Sequence, residues 1–295
     1  MENRIISVIT PLYKGKKYIP NLLLQVKENL HELRNYNNTI NVELIMVNDY
    51  PSEQIDRNEY LSEGINIIIK NNSVNSGIHY SRVEGLKISN GDMILFLDQD
   101  DCIDNNFLVK TYREYISNKS DVIVTNAWME KANHEKGMLY SRRGQERNLF
   151  DIKTYLYAHN QIASPGQCLI RKSSIPKEWL DNILYVNGSD DLLLWILMLS
   201  KEASFRFINE CLYTHKYTGS NLSASAIKMS KSTLELITVL HSIEYIDKKN
   251  VEILKQSRSM NLQLHDSSGV EKLIIIIKYM NVIFWRLFFK IRSKL

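Results

Sequence analysis

The chain has 295 residues, 44% of them apolar, with 11 Gly and 5 Pro. That is enough to bury one large core, or one core and an appendage, and it excludes disordered, collagen-like and repeat classes. The net charge of +4 is mild and its basic residues are scattered except near the C-terminus, which argues against a nucleic-acid partner. Cys102, Cys168 and Cys211 are odd in number and form no CxxC, the pattern of reduced thiols in a cytoplasmic setting. The opening Met1-Glu2-Asn3-Arg4 and the short apolar run after it do not have the form of a signal peptide.

In chain order, short apolar runs at 5–9, 42–47, 65–69 and 93–97 predict strands buried on both faces. Between the first two, Ile19, Leu22, Leu23, Val26, Leu30 and Leu33 recur at helical spacing, with Pro20 tolerated in the first turn. A further helix is expected over 77–89. This order predicts an α/β fold with a mostly parallel sheet and ligands at the carboxyl ends of its strands. Beyond it, strands are expected at 121–125 and 167–171, and helices at 151–159 and 190–200. After about residue 218 the pattern becomes helical, so the expected division is a catalytic domain at 1–220 and a helical region at 221–295.

The fourth strand runs into Leu97-Asp98-Gln99-Asp100-Asp101. Three carboxylates within four residues repel one another by roughly a kcal/mol per pair even in water, so the cluster calls for a cation. Ligands that are all oxygen favour Mg²⁺ or Mn²⁺ over zinc. A calcium loop does not fit, because Cys102 and Ile103 stand where that motif needs an acid and a glycine. Tyr13, Asp49 and Arg82 each have an ordinary surface or turn explanation singly. Parallel strands would nevertheless converge them with the acids on one crevice, a nucleotide pocket beside a metal.

The series Ser7-Val8-Ile9-Thr10-Pro11-Leu12-Tyr13, Val47-Asn48-Asp49, Asn75-Ser76-Gly77 with Ser81-Arg82 and Gly85, then Phe96-Leu97-Asp98-Gln99-Asp100-Asp101 resembles the N-terminal half of the family 2 glycosyltransferases with a GT-A fold. The resemblance covers about residues 4–108. It implies inverting transfer of a sugar from a nucleotide diphosphate donor, a UDP-sugar by preference and hexosyl in kind, with Mn²⁺ or Mg²⁺ as cofactor. Carried over by position, Pro11 and Tyr13 line the base pocket, Asp49 hydrogen-bonds the base and Arg82 lies near the nucleotide. Asp98 meets the ribose or sugar, Asp100 binds the metal, and Asp101 is structural. The usual Asp-Asp-Gly-Ser after the second strand is replaced here by Asn48-Asp49-Tyr50-Pro51-Ser52.

In the second half, Gly188-Ser189-Asp190-Asp191 before Leu194-Trp195 resembles the family's acidic pair at a helix start, with Asp191 matching the general base and Asp190 the alternative. The stretch Leu212 to Ser223 resembles a loop that closes over the pyrophosphate, in which Lys216 supplies positive charge and His215 is a metal or phosphate ligand. The implied role is capsule, exopolysaccharide or O-antigen assembly; the resemblance says little about the acceptor, which is expected to be a saccharide, or a lipid-linked oligosaccharide if the C-terminal helix lies on the membrane. Two rivals are a membrane scaffold that binds nucleotide sugar without turnover and a sugar-1-phosphate nucleotidyltransferase. The latter would need a glycine-rich loop after the first strand, where only Gly15 stands.

Near the C-terminus, Leu273, Ile277, Met280, Phe284, Leu287 and Ile291 form an apolar stripe on a single expected helix. Lys278, Arg286 and Lys290 within it would cost about 2.5–3.5 kcal/mol each at a bilayer centre, which argues against spanning. Two readings stay open: a basic amphipathic helix on the inner leaflet of the membrane, or a packing or homodimer helix.

Overall fold

The computed structural model describes residues 4–62, 64–217 and 226–294. The chain divides into two compact units, and neither is one continuous stretch. The first comprises Met1–Leu139, Ala163–Ile175 and Ala203–Asn221; the second comprises Tyr140–Ile162, Pro176–Glu202 and Leu222–Leu295. The compact units therefore differ from the consecutive stretches 1–220 and 221–295. The helical unit also takes up two earlier passages of chain, including the helix that carries Asp191.

The first unit contains every strand among the described residues: β1 (Arg4–Leu12), β2 (Ile40–Asn48), β3 (Asn66–Asn71), β4 (Met93–Phe96), β5 (Cys102–Ile103), β6 (Val122–Glu130), β7 (Lys136–Met138), β8 (Cys168–Arg171) and β9 (Phe205–Lys216). Its helices are α1 (Ile19–Tyr36), α2 (Ile78–Ile88) and α3 (Phe107–Asn118). The sheet order is β3-β2-β1-β4-β8-β6-β9-β5, with β7 paired to β6. β3, β2, β1 and β4 are parallel, as the apolar runs predict. Beyond β4 the sheet is mixed: β8 is antiparallel to β4 and β6, β9 is parallel to β6, and β5 is antiparallel to β9.

Alternation along β1 sorts the two faces. Ile6 and Val8 join the core cluster built with Leu22, Val26 and Leu30 of α1 and Phe107 and Leu108 of α3. Ile9 faces the other way and meets α2 at Gly85, where an added Cβ would stand 2.4 Å from the Ile9 Cγ2 and 3.3 Å from a Val47 methyl. Gly85 thus lets α2 approach the sheet closely, and it aims that helix's N-terminus at the strand ends.

The strand β9 was expected as a loop over 212–223. Its outward residues Arg206, Asn209 and Glu210 interrupt any apolar run, and only Leu212 and Tyr213 are buried. What holds it is backbone pairing with β6 and β5, which composition does not report. Residues 218–223 of that expected loop lie outside the described residues. Helix α3, whose buried face is Phe107, Leu108, Thr111 and Tyr112, was also absent from the sequence-based expectation.

The second unit is helical: α4 (Ile152–Tyr157), α5 (Lys177–Asp181), α6 (Asp190–Ser200), α7 (Ala226–Ser242), α8 (Lys248–Asp266), α9 (Gly269–Lys278) and α10 (Met280–Arg292). Its core includes Trp179, Leu193, Trp195, Leu236, Leu240 and Leu254. The single C-terminal helix expected from the stripe is two helices broken at Tyr279, whose buried side chain accepts a hydrogen bond from Gln263 Nε2 of α8 at 3.1 Å. Among the described residues no helix is long and apolar enough to cross a membrane.

Replacing Gly85 with Ala should therefore destabilise the fold by about 1–3 kcal/mol, the usual cost of overpacking. Urea unfolding checks this, and an unchanged midpoint would refute the close approach of α2.

Candidate active site

The parallel ladder continues past the strands and places their following loops side by side. Asp49 N donates to Leu12 O at 2.7 Å, Asn72 N to Asn48 O at 2.9 Å, and Leu97 N to Ile9 O at 3.0 Å. The stretches 10–13, 48–50, 72–77 and 97–101 therefore meet at one sheet end, as the sequence predicts.

Asp49 is buried there, and its carboxylate is engaged from three sides. Asn72 Nδ2 and Ser76 N donate to its Oδ1, each at 2.9 Å, and Gly77 N donates to Oδ2 at 2.7 Å. Gly77 precedes α2 with φ of +91°, a conformation that side-chain-bearing residues avoid, so glycine is required for this turn. Asp49 thus secures the entry to α2 and complements the positive end of that helix.

One turn into α2, the buried Arg82 pairs with Asp98 Oδ1 at 2.5 Å. Ser164 Oγ donates to the other oxygen at 3.0 Å, so Asp98 is oriented from both sides. Pro11 is buried in β1 beside Val47. Tyr13 is exposed at the rim, edge-on to Tyr50 with centroids 5.4 Å apart, and Lys14 Nζ lies over both rings. Gln99 fixes the Tyr13 backbone, accepting from its N at 3.0 Å and donating to its O at 3.3 Å.

The last acid, Asp101, is 1% exposed. It accepts hydrogen bonds from the Tyr213 hydroxyl, from His215 Nδ1 at 3.2 Å and from Lys216 N at 2.9 Å. Its role is structural: β5 begins at the next residue and pairs with Tyr213 and Thr214, so the acid turn and the end of β9 are held together. This bond set brings His215 and Lys216, distant in sequence, to the acids. Lys216 has its pKa raised by a hydrogen bond with the Cys102 thiol and by the charges of Glu130 and Asp101, against a smaller loss from burial.

Electrostatics single out Asp100. Burial, then the charges of Asp101 and Asp98, push its pKa from 3.8 up to about 6. Burial works against a charged His215, yet its hydrogen bond to Asp101 and the charges of the three acids raise its pKa overall. Among the described residues no group of three or more His, Cys, Asp or Glu side chains is arranged to hold a metal by itself. The donors present do fit a divalent ion that takes its remaining ligands from substrate. Asp100 offers carboxylate oxygens, and His215 offers Nε2 while Asp101 holds its Nδ1, the usual outer support of a ligating imidazole.

The second unit carries the other acidic pair at the start of α6. Asp190 is buried and its carbonyl accepts from Trp179 Nε1 at 2.9 Å. Asp191 is half-buried; Asn160 Nδ2 donates to its Oδ2 at 2.7 Å, and Leu192 N to its Oδ1 at 2.7 Å. Asn160, Ser164, Gln99 and Tyr213 were not among the sequence candidates. Asn160, Ser164 and Tyr213 each act on an acid, and Gln99 on the Tyr13 backbone, through contacts of long sequence separation, and only the polar His159-Asn160-Gln161 following a helix gave any local signal.

Residues 7–179 match the family model described as Glycosyl transferase family 2. The chain belongs to this family and is thus a glycosyltransferase. It is 25% identical over 260 residues to an uncharacterized glycosyltransferase of Haemophilus influenzae, covering 88% of this chain and 81% of that protein. It is 23% identical over 233 residues to TuaG of Bacillus subtilis, covering 78% and 85%. GlyA of Streptococcus pneumoniae is 25% identical over 281 residues, but this chain spans only 39% of its length. Among solved structures, S. aureus TarS 1-349 superposes with a TM-score of 0.60 at 18% identity, covering 94% of this chain and 79% of that one. The shared architecture is the GT-A fold.

The raised Asp100 pKa has a definite consequence for metal-free protein. A carboxyl with a folded pKa above its unfolded value destabilises the fold only where it is ionised, so the penalty grows from pH 4 to about 6 and is complete above that. Asp100→Asn should therefore be more stable than the native chain at pH 7.5 in chelator, by about 1–2 kcal/mol after discounting for solvent screening. The gain should vanish below about pH 4. Thermal melts across pH test this, and equal or lower stability of the variant at pH 7.5 would contradict it.

Proposed function

We propose that this glycosyltransferase moves a hexosyl group, with inversion, from a UDP-sugar to a saccharide or lipid-linked oligosaccharide acceptor during assembly of a bacterial surface polysaccharide. The observation that carries the donor half is the strand-end arrangement of Pro11, Tyr13, Asp49, Arg82 and Asp98 beside Asp100, whose pKa burial and the neighbouring acids push up to about 6. Names among the relatives support the pathway: TuaG refers to teichuronic acid biosynthesis, and GgaB of Bacillus subtilis, 22% identical over 256 residues, to minor teichoic acid biosynthesis. TarS has been crystallised with UDP and with UDP-GlcNAc, which supports a uridine donor for this fold.

In this reading the exposed Tyr13, with Tyr50 beside it, offers an aromatic face to the base, and Pro11 and Asp49 shape the floor. Asp98, aimed by Arg82 and Ser164, meets the ribose or sugar. Asp100 and His215 Nε2 would hold Mn²⁺ or Mg²⁺, which when bound supplies positive charge to the leaving diphosphate. Lys216 adds charge on the same side. The acceptor hydroxyl attacks the anomeric carbon opposite the diphosphate, and its proton passes to Asp191. The new C–O bond forms as the bond to phosphate oxygen breaks, and its electron pair leaves with UDP. The half-buried state of Asp191 beside a buried Asp190 supports Asp191 as the base, and Asn160 keeps its carboxylate in one orientation.

A panel of nucleotide sugars, read by thermal shift and by metal-dependent release of the nucleotide, tests the donor assignment. The expected result is stabilisation by one UDP-sugar with Mn²⁺ or Mg²⁺; no response from any member would refute it. For the base, Asp191→Asn should lower kcat by at least about 10²-fold with donor affinity unchanged. Asn160→Ala should lower kcat roughly tenfold, since the amide hydrogen bond holds the Asp191 carboxylate in one orientation. Native-like kcat in Asp191→Asn would remove it from the mechanism.

A further inference from the structure

The sequence stripe Leu273, Ile277, Met280, Phe284, Leu287 and Ile291 does not face the interior. Each of these side chains is 54–67% exposed. α10 faces inward through Val282 and Phe289, and Tyr279 at the break is buried, whereas α9 has no buried side chain. A run of large apolar side chains at helical spacing on a surface marks an interaction site, unlike apolar residues scattered singly.

Charge identifies what the face meets. From Lys272 to Lys294 there is no Asp or Glu, and Lys272, Lys278, Lys290 and Lys294 are all exposed. The two arginines of α10 are used elsewhere. Arg292 Nη1 pairs with Asp151 at 2.7 Å and Arg292 Nη2 donates to Asn148 Oδ1 at 2.7 Å. Arg286 Nε donates to Tyr157 O at 2.7 Å, and Trp285 stacks on the Tyr157 ring with centroids 5.5 Å apart. These contacts grip α4 at both ends, so α10 presents its apolar face on a preformed support and has no ordering cost to meet on binding.

We propose that the outward face of α9 and α10 docks on the surface of an anionic bilayer. Lysines around an apolar face suit acidic headgroups above acyl chains, and Phe284 and Phe288 supply the interfacial aromatics. Against a second copy of this chain the same lysines would meet lysines, with Glu271 in the first turn of α9 as the one acid on the two helices to set against them. At 1.5 Å per residue the helices are about 15 and 20 Å long, too short to span and suited to lie flat. If the transferase reading holds, an acceptor carried on lipid follows from this placement, and that consequence alone rests on it.

Vesicle flotation of the full chain tests the docking. It should rise with phosphatidylglycerol–phosphatidylcholine vesicles, stay below with phosphatidylcholine alone, and be released by high salt. Lys290→Glu with Lys294→Glu should weaken partitioning by at least about tenfold. Phe284→Ser with Leu287→Ser should abolish it, with an unchanged thermal melt showing that the fold survives. A native chain that stays below with phosphatidylglycerol vesicles overturns the proposal, as does a concentration-dependent dimer that the Phe284/Leu287 variant abolishes while vesicle binding persists. UDP-sugar hydrolysis in vesicle-free buffer, measured alongside, reports on the transferase reading independently.

Discussion

A single buried carboxylate, Asp101, sets the geometry on which the candidate site depends. Taking a charged group out of water is tolerated only if its oxygens are paired, and here a phenol, an imidazole and a backbone amide pair them. All three donors come from the end of β9, more than a hundred residues further along the chain. The bond set therefore closes the mixed half of the sheet onto the acid turn that follows the parallel half. His215 and Lys216 reach the acids as a result of that closure.

The other acids divide the remaining work according to what surrounds them. Asp98 has an arginine and a serine hydroxyl and is oriented by both. Asp49 has amides and secures the start of α2, which in turn carries Arg82. Asp100 is left with burial and two like charges, and its pKa of about 6 records the conflict. A fold that keeps such a group gives up stability at neutral pH in its metal-free state, and binding of a divalent cation would recover it.

In the helical unit, arginine plays the corresponding part. Arg286 and Arg258 donate to the last carbonyls of α4, at Tyr157 and at Tyr155 and Ala158, where a helix end lacks partners of its own. The two guanidiniums crowd each other, and burial followed by that repulsion brings the Arg258 pKa down to about 10. Asn160 follows directly in the chain and holds Asp191, so the base candidate is braced by the helix that these arginines cap. The lysines of α9 and α10, free of such duties, stay at the surface.

Local pattern alone determined much of this protein. The four parallel strands, α1, α2 and α6 lie within a few residues of where apolar periodicity puts them, because strands buried on both faces and amphipathic helices write their burial directly into the sequence. The acid run, Asp49 and Arg82 were legible for the same reason, since strand ends in a parallel sheet must converge. Tertiary structure alone decided the rest. β9 is half-exposed and owes its form to its neighbours, the apolar stripe is exposed, and Arg286 and Arg292 are internal ties. Each of these depends on which distant backbone or carboxylate a residue meets, and the spacing of residues along a chain carries no record of that.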